Sequence, residues 1–142
     1  MSAAPGGALY SPALLSLAVK LARYPYDPDA PLQGESRSRS CGSTLSLSAD
    51  PAFSAPGLKV VACAVGQAAS AIFARHCCDA GRERLLAMPS DVEHWLSGDG
   101  PLPDWPDMDM LVAAKEYPGR HGAILLPWRA AVDALGKAGD AR

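Results

Sequence analysis

The apolar pattern of this chain changes period at Cys63, and that change bounds the folds open to it. Before it, Thr44-Leu45-Ser46-Leu47-Ser48 alternates apolar and polar, and Leu58-Lys59-Val60-Val61-Ala62 is a short β-branched run after a glycine. Both patterns predict strands. After it, Val65, Ala68, Ala69, Ile72, Phe73 and Cys77 recur at helical spacing and share one face. A strand that ends where a long helix begins requires an α+β layout, with helices laid on a sheet.

The remaining elements fit that layout. Leu14, Leu15, Ala18, Leu21 and Ala22 predict an amphipathic helix over Leu9 to Ala22, with Ser11 as N-cap and Pro12 in the first turn. Tyr24-Pro25 ends it, because a residue before proline avoids the α region. Pro31 to Arg39 is polar and reads as either a solvated edge strand or a loop. The expected sheet is a three-stranded antiparallel meander. Ser90-Asp91-Val92-Glu93 has the form of a capping sequence for a short helix, Val92 to Leu96. Gly98 to Pro106 is a turn-rich connector, and Met108 to Tyr117 is expected to be helical. The last helix is expected from Ile124 to Lys137, since proline suits only a first turn and Pro127 then falls there. A chain of 142 residues is expected to form one domain, 9–137, between short tails at 1–8 and 138–142.

Bulk properties exclude several functions. A net charge of −2 supplies no basic field for sequence-independent nucleic-acid binding. The apolar runs, such as Val60 to Gly66, are too short to span a membrane. The first residues lack the basic-then-apolar order of a secretory signal, so a cytoplasmic, reducing setting is expected. There, four cysteines read as free thiols, ligands or nucleophiles rather than a disulfide framework.

Two of the cysteines are the candidate chemistry. Cys41, beside Gly42, lies between the first two strands, and Cys63 between the third strand and the long helix. In a meander both positions fall at one end of the sheet. Cys63 also precedes a helix N-terminus, where partial positive charge favours a thiolate able to ligate metal or carry sulfur. It reads equally as a small buried residue at a strand end. His76-Cys77-Cys78 is a dense set of soft donors, but consecutive helical residues point about 100° apart and do not converge. Cys77 is expected in the core. Asp104, Asp107 and Asp109 form an acidic connector without the spacing of a calcium loop.

The order Leu9-Tyr10, Cys41-Gly42, Cys63 opening the Ala68-Ala69-Ser70-Ala71 helix, then Tyr117-Pro118-Gly119-Arg120 leading to Trp128-Arg129-Ala130 resembles the U-type iron–sulfur cluster assembly scaffolds. This is the NifU N-terminal-domain-like family, and the similarity spans most of residues 9–136. It is closest to the longer branch, which carries an insertion before the last segment. The resemblance implies a non-enzymatic scaffold. Three cysteines and an aspartate there hold zinc or a nascent [2Fe–2S] cluster, with sulfur arriving as persulfide from a cysteine desulfurase and clusters passing to recipient apoproteins.

Carried onto this chain, two of the family's cysteines match Cys41 and Cys63, while Ser43 stands at the aspartate and Ala123 at the third cysteine. His121 is the remaining candidate donor to metal, on a loop if Pro127 delays the helix; otherwise it is a surface imidazole beside Arg120. A homodimer would bring two cysteines from each copy. Three roles stay open: a scaffold-like protein using Cys41 and Cys63, a degenerate relative acting through interactions or regulation, and an enzyme with Cys63 as nucleophile.

Overall fold

The computed structural model describes residues 10–39 and 42–140. The tail expected at 1–8, and Cys41 itself, lie outside the described residues. Helix α1 spans Pro12–Val19 and tightens into a 3₁₀ turn, Lys20–Arg23. Ser11 caps it, its hydroxyl accepting the Leu14 N–H at 3.2 Å. The helix is shorter than expected and its buried line is different. Leu14 and Leu17 face the core, whereas Leu15 is 42% exposed. Two turns can align only one i, i+3 pair against a neighbour, so the adjacent Leu15 turns outward.

Strands β1 (Leu32–Arg37), β2 (Thr44–Ala49) and β3 (Gly57–Val61) form the expected antiparallel meander, in the order β1-β2-β3. The polar segment before Cys41 is thus an edge strand. Its partners follow from register: Gly34 lies opposite Leu47, which lies opposite Leu58. Leu32, Leu45, Leu47, Ala49 and Leu58 are buried on one face. On the other, Ser48 is covered by the segment after α1, where the Asp27 N–H reaches the Ser48 Oγ at 2.9 Å.

Helix α2 spans Ala64–Ala80 and buries the face that its period predicted. Helix α3 spans Arg82–Ser97 without interruption, which corrects the short helix expected after a cap at Ser90. Pro89 sits inside it. Proline in a helix interior costs about 3 kcal/mol. That cost is outweighed because Leu85, Met88, Val92, Trp95 and Leu96 are all buried on one side, at about 1.5–3 kcal/mol each for the larger ones. Asp91 pairs with Arg84, two turns back, instead of capping a new helix.

The connector ends in Trp105, whose Nε1–H donates to the Ile72 carbonyl at 3.1 Å. Trp105 stacks on Phe73 at 6.0 Å and meets Trp128 edge-on at 5.5 Å. A nine-residue 3₁₀ segment, Met108–Glu116, and a short 3₁₀ turn, Pro118–Arg120, lead into helix α4, His121–Asp140. Helix α4 therefore begins three residues earlier than expected, and Pro127 lies inside it. Its ring removes the N–H that would bond the Ala123 carbonyl. Burial of Ile124, Leu125, Leu126, Trp128, Ala131 and Leu135 offsets that loss.

Helix α4 lies directly on β1. A Cβ on Gly34 would overlap the Ala130 carbonyl and stand 2.7 Å from the Ala134 nitrogen. Ser36 Oγ donates to the Leu126 carbonyl at 2.7 Å, and the Glu35 N–H donates to Asp133 Oδ2 at 2.8 Å. Gly34→Ala must push helix from strand, so it is expected to lower stability by about 1–3 kcal/mol or more, read as a shift of the urea midpoint at unchanged slope. Burial raises the Asp133 pKa, but the Glu35 N–H and Lys137 outweigh it and hold the carboxyl below its usual 3.8. A carboxylate with a depressed pKa stabilises the fold above its unfolded pKa and loses that contribution as pH falls through the folded one. The stability gap between wild type and Asp133→Asn is thus expected to be full near neutral pH and to close below about pH 4, measured by denaturation at several pH values.

Candidate functional site

Register brings Ser43 and Cys63 to one rim of the sheet. Thr44 pairs with Val61, so the C-terminal end of the β1–β2 loop and the end of β3 lie side by side. The loop is closed by the Ser38 N–H on the Ser43 carbonyl at 2.8 Å and the Gly42 N–H on the Ser38 carbonyl at 2.9 Å. Gly42 adopts φ +70°, a left-handed conformation that side-chain-bearing residues rarely take. Ser43 is buried at this rim, 6% exposed. Its hydroxyl stays protonated near neutral pH, which makes it a poor metal ligand.

Cys63 is the N-cap of α2, with extended backbone (φ −67°, ψ 172°), and its side chain makes no capping bond. It is half-buried. A thiol so placed faces the partial positive charge of the helix end. Gln67 fastens the corner: its N–H donates to the Cys63 carbonyl at 3.0 Å and its Nε2 to the Ala62 carbonyl at 2.9 Å. Sequence reasoning missed Gln67, because nothing in a helical pattern marks a side chain that folds back on the preceding strand.

Ala123 is fully buried in the first turn of α4, against the first turn of α2. A Cβ placed on Gly66 would stand 3.1 Å from the Ala123 Cβ and 2.8 Å from the Ala62 Cβ. Position 123 thus meets α2 at Gly66, three residues beyond Cys63 and on the same helix face. Gly66 was also missed: the need for a missing side chain there arises only from the second helix.

His121 is the first residue of α4 and is not on a loop, which corrects the expectation built on Pro127. The half-buried ring is held by a bond between Nε2 and the Lys115 carbonyl at 2.8 Å. A carbonyl only accepts, so Nε2 carries the proton and the neutral ring keeps its lone pair on Nδ1. Just before it, Arg120 Nη2 donates to the Tyr10 hydroxyl at 3.0 Å. That bond ties the segment preceding α1 to the start of α4.

The other donors do not gather. Cys77 is buried with its Sγ 3.5 Å from the Phe53 carbonyl, while Cys78 is exposed. Burial, with a smaller contribution from Cys78, pushes the Cys77 thiol up to about 12. His76 Nε2 meets Asp107 Oδ2 at 2.8 Å, and Arg75 reaches the same oxygen at 3.4 Å. Asp107 is therefore committed to this face of α2. Among the described residues, no three His, Cys, Asp or Glu side chains converge as a metal-binding group. None of the described helices is long and apolar enough to cross a membrane.

No protein-family model matches the sequence, and no curated protein matches it. Solved structures do. The N-terminal part of a nitrogen-fixing NifU-like protein from Brucella abortus superposes with a TM-score of 0.83 at 24% identity, covering 98% of this chain and all of that one. A protein from Fervidobacterium islandicum AW-1, described as an iron–sulfur cluster assembly scaffold for the SUF system, gives a TM-score of 0.73 at 21% identity. That alignment covers 90% of this chain and 97% of the other. The chain has the fold of these proteins, as its resemblance to the U-type scaffolds led us to expect. In native protein at pH 8, Cys77→Ser is expected to leave the number of thiols labelled by a disulfide reagent unchanged. In denaturant the same substitution removes one of the four.

Proposed function

We propose that this chain, sharing its fold with the U-type scaffolds, serves iron–sulfur cluster assembly as a scaffold-like cytoplasmic protein and not as an enzyme. Its cargo is iron, zinc or a nascent [2Fe–2S] cluster. Cys41 and Cys63 are the thiolates that take up metal and sulfur, with a cysteine desulfurase as donor and apoproteins as recipients. The observation that supports this most is the position of Cys63. It caps a long helix at the sheet rim shared with the β1–β2 loop, with position 123 meeting the same helix one turn on.

The donor set is incomplete for a closed site. Zinc and [2Fe–2S] centres take four ligands. This chain offers two thiols and, through Nδ1, the His121 imidazole, whose other nitrogen already donates to a carbonyl as metal-bound histidines commonly do. Ser43 and Ala123 supply nothing comparable. Such a set suits cargo held loosely, with the remaining coordination coming from a second copy or from a partner protein.

A second reading draws on the surroundings of Ala123, which are Gly66 and Ala62. A third donor replaced by close apolar packing suits a relative that has kept the fold, holds no cluster, and acts as an interaction or regulatory protein. Anaerobic reconstitution with ferrous iron and sulfide separates the two. The scaffold reading expects visible charge-transfer absorption that Cys63→Ala abolishes and that lasts longer on dilution in Ala123→Cys. A colourless, metal-free protein that still binds a desulfurase establishes the second reading. Colour that persists undiminished in Cys63→Ala removes Cys63 from the site.

A further inference from the structure

The connector between α3 and the Met108–Glu116 segment encloses an open cavity of about 480 Å³ that the cluster chemistry does not use. Arg84, Asp91 and His94 line it from α3, and Asp99, Leu102 and Asp104 from the connector. Seven- and ten-residue separations put the three α3 side chains on neighbouring lines of one helix face. Both ends of the connector are fastened. At one, Gly98 turns left-handed, and the N–H groups of Asp99 and Gly100 reach the His94 carbonyl at 2.9 and 3.0 Å. At the other, Trp105 is anchored in the aromatic core. The arch between them is therefore held open before any ligand arrives, and its volume is that of an ordinary ligand site.

Its charge is one-sided. Asp91 is neutralised by Arg84. Asp99 accepts only from the Ser97 hydroxyl, at 3.2 Å, and Asp104 has no hydrogen bond or ion pair among the described residues. Two carboxylates thus remain uncompensated beside the apolar surfaces of Pro101, Leu102 and Pro103. A metal ion is not the match, because these side chains do not converge as a ligand group. An organic cation on an apolar stem is.

The cavity also continues. A second depression of about 250 Å³ shares Arg84 and Asp104 with it and adds another carboxylate, Asp79, beside His76 and Trp105. Two joined depressions with spaced carboxylates suit an extended chain more than a compact molecule. We propose that this groove binds an extended segment of a partner protein bearing two basic side chains separated by apolar residues. This site stands independently of whether Cys63 holds a cluster.

Amide-resolved NMR titration of the full chain with an acetylated, amidated pentapeptide, Leu-Arg-Ala-Leu-Arg, tests it. The expected result is saturable shifts of the amides of His94, Asp99, Gly100, Leu102 and Asp104. Affinity is expected to fall by about tenfold or more when both arginines become citrulline, when Asp99 and Asp104 become Asn together, and in high salt. Butylguanidinium, a single cation on an apolar stem, is expected to bind more weakly than the peptide. Absence of saturable shifts up to about 5 mM peptide, a range in which even weak groove binding registers, overturns the proposal. So does equal binding of the citrulline peptide, which needs no variant to fold, or butylguanidinium binding as tightly as the peptide.

Discussion

The contact on which the rest of this structure depends is the approach of α4 to β1 at Gly34. A strand and a helix ordinarily keep side chains between them. Here the Ala130 carbonyl and the Ala134 nitrogen occupy the space a Cβ would fill. Interiors packed at crystal-like density tolerate no such overlap, so a residue without a side chain is the condition for the contact. The bonds from Ser36 and Glu35 to α4 then fix its slide and rotation. Asp133 also occupies a main-chain donor of β1, which protects an edge that would otherwise be open to pairing.

The seating of α4 determines what stands at its beginning. Ala123 is delivered to the first turn of α2, where Gly66 repeats the device seen at Gly34. Two helices approach closely through an alanine and a glycine, and Cys63 lies on the same face one turn away. The alanine that packs without a gap is the residue that supplies no thiolate. Position 123 is thus taken by packing between α4 and α2. His121 is likewise fastened, its Nε2 bonded to the Lys115 carbonyl.

Much of this was legible from residue order. The switch of period at Cys63 marked the strand-to-helix corner, the meander followed from alternation and turns, and Cys77 belonged to the core by its place on the α2 face. The capping pattern at Ser90 and the proline at 127 misled. Pro89 and Pro127 each break a local rule, and each is retained because a long buried face outweighs one missing hydrogen bond. Reading Ser90 as a cap shortened α3, and reading Pro127 as a first-turn residue delayed α4 and set His121 on a loop. Leu15 was misread for a related reason: periodicity offers several apolar lines, and only a neighbour selects among them.

Local chemistry in the sequence therefore determined strands β2 and β3, the long helix after them, and where a thiol meets a helix end. Those outcomes depend on backbone preference and on residue identity, which are present in any short window. The tertiary structure alone decided that Gly34 and Gly66 are contact points, that Gln67 and Lys115 hold the groups beside the site, and that position 123 is sealed. Each of these needs a partner tens of residues away, and a glycine's missing atom has meaning only when something else occupies its place.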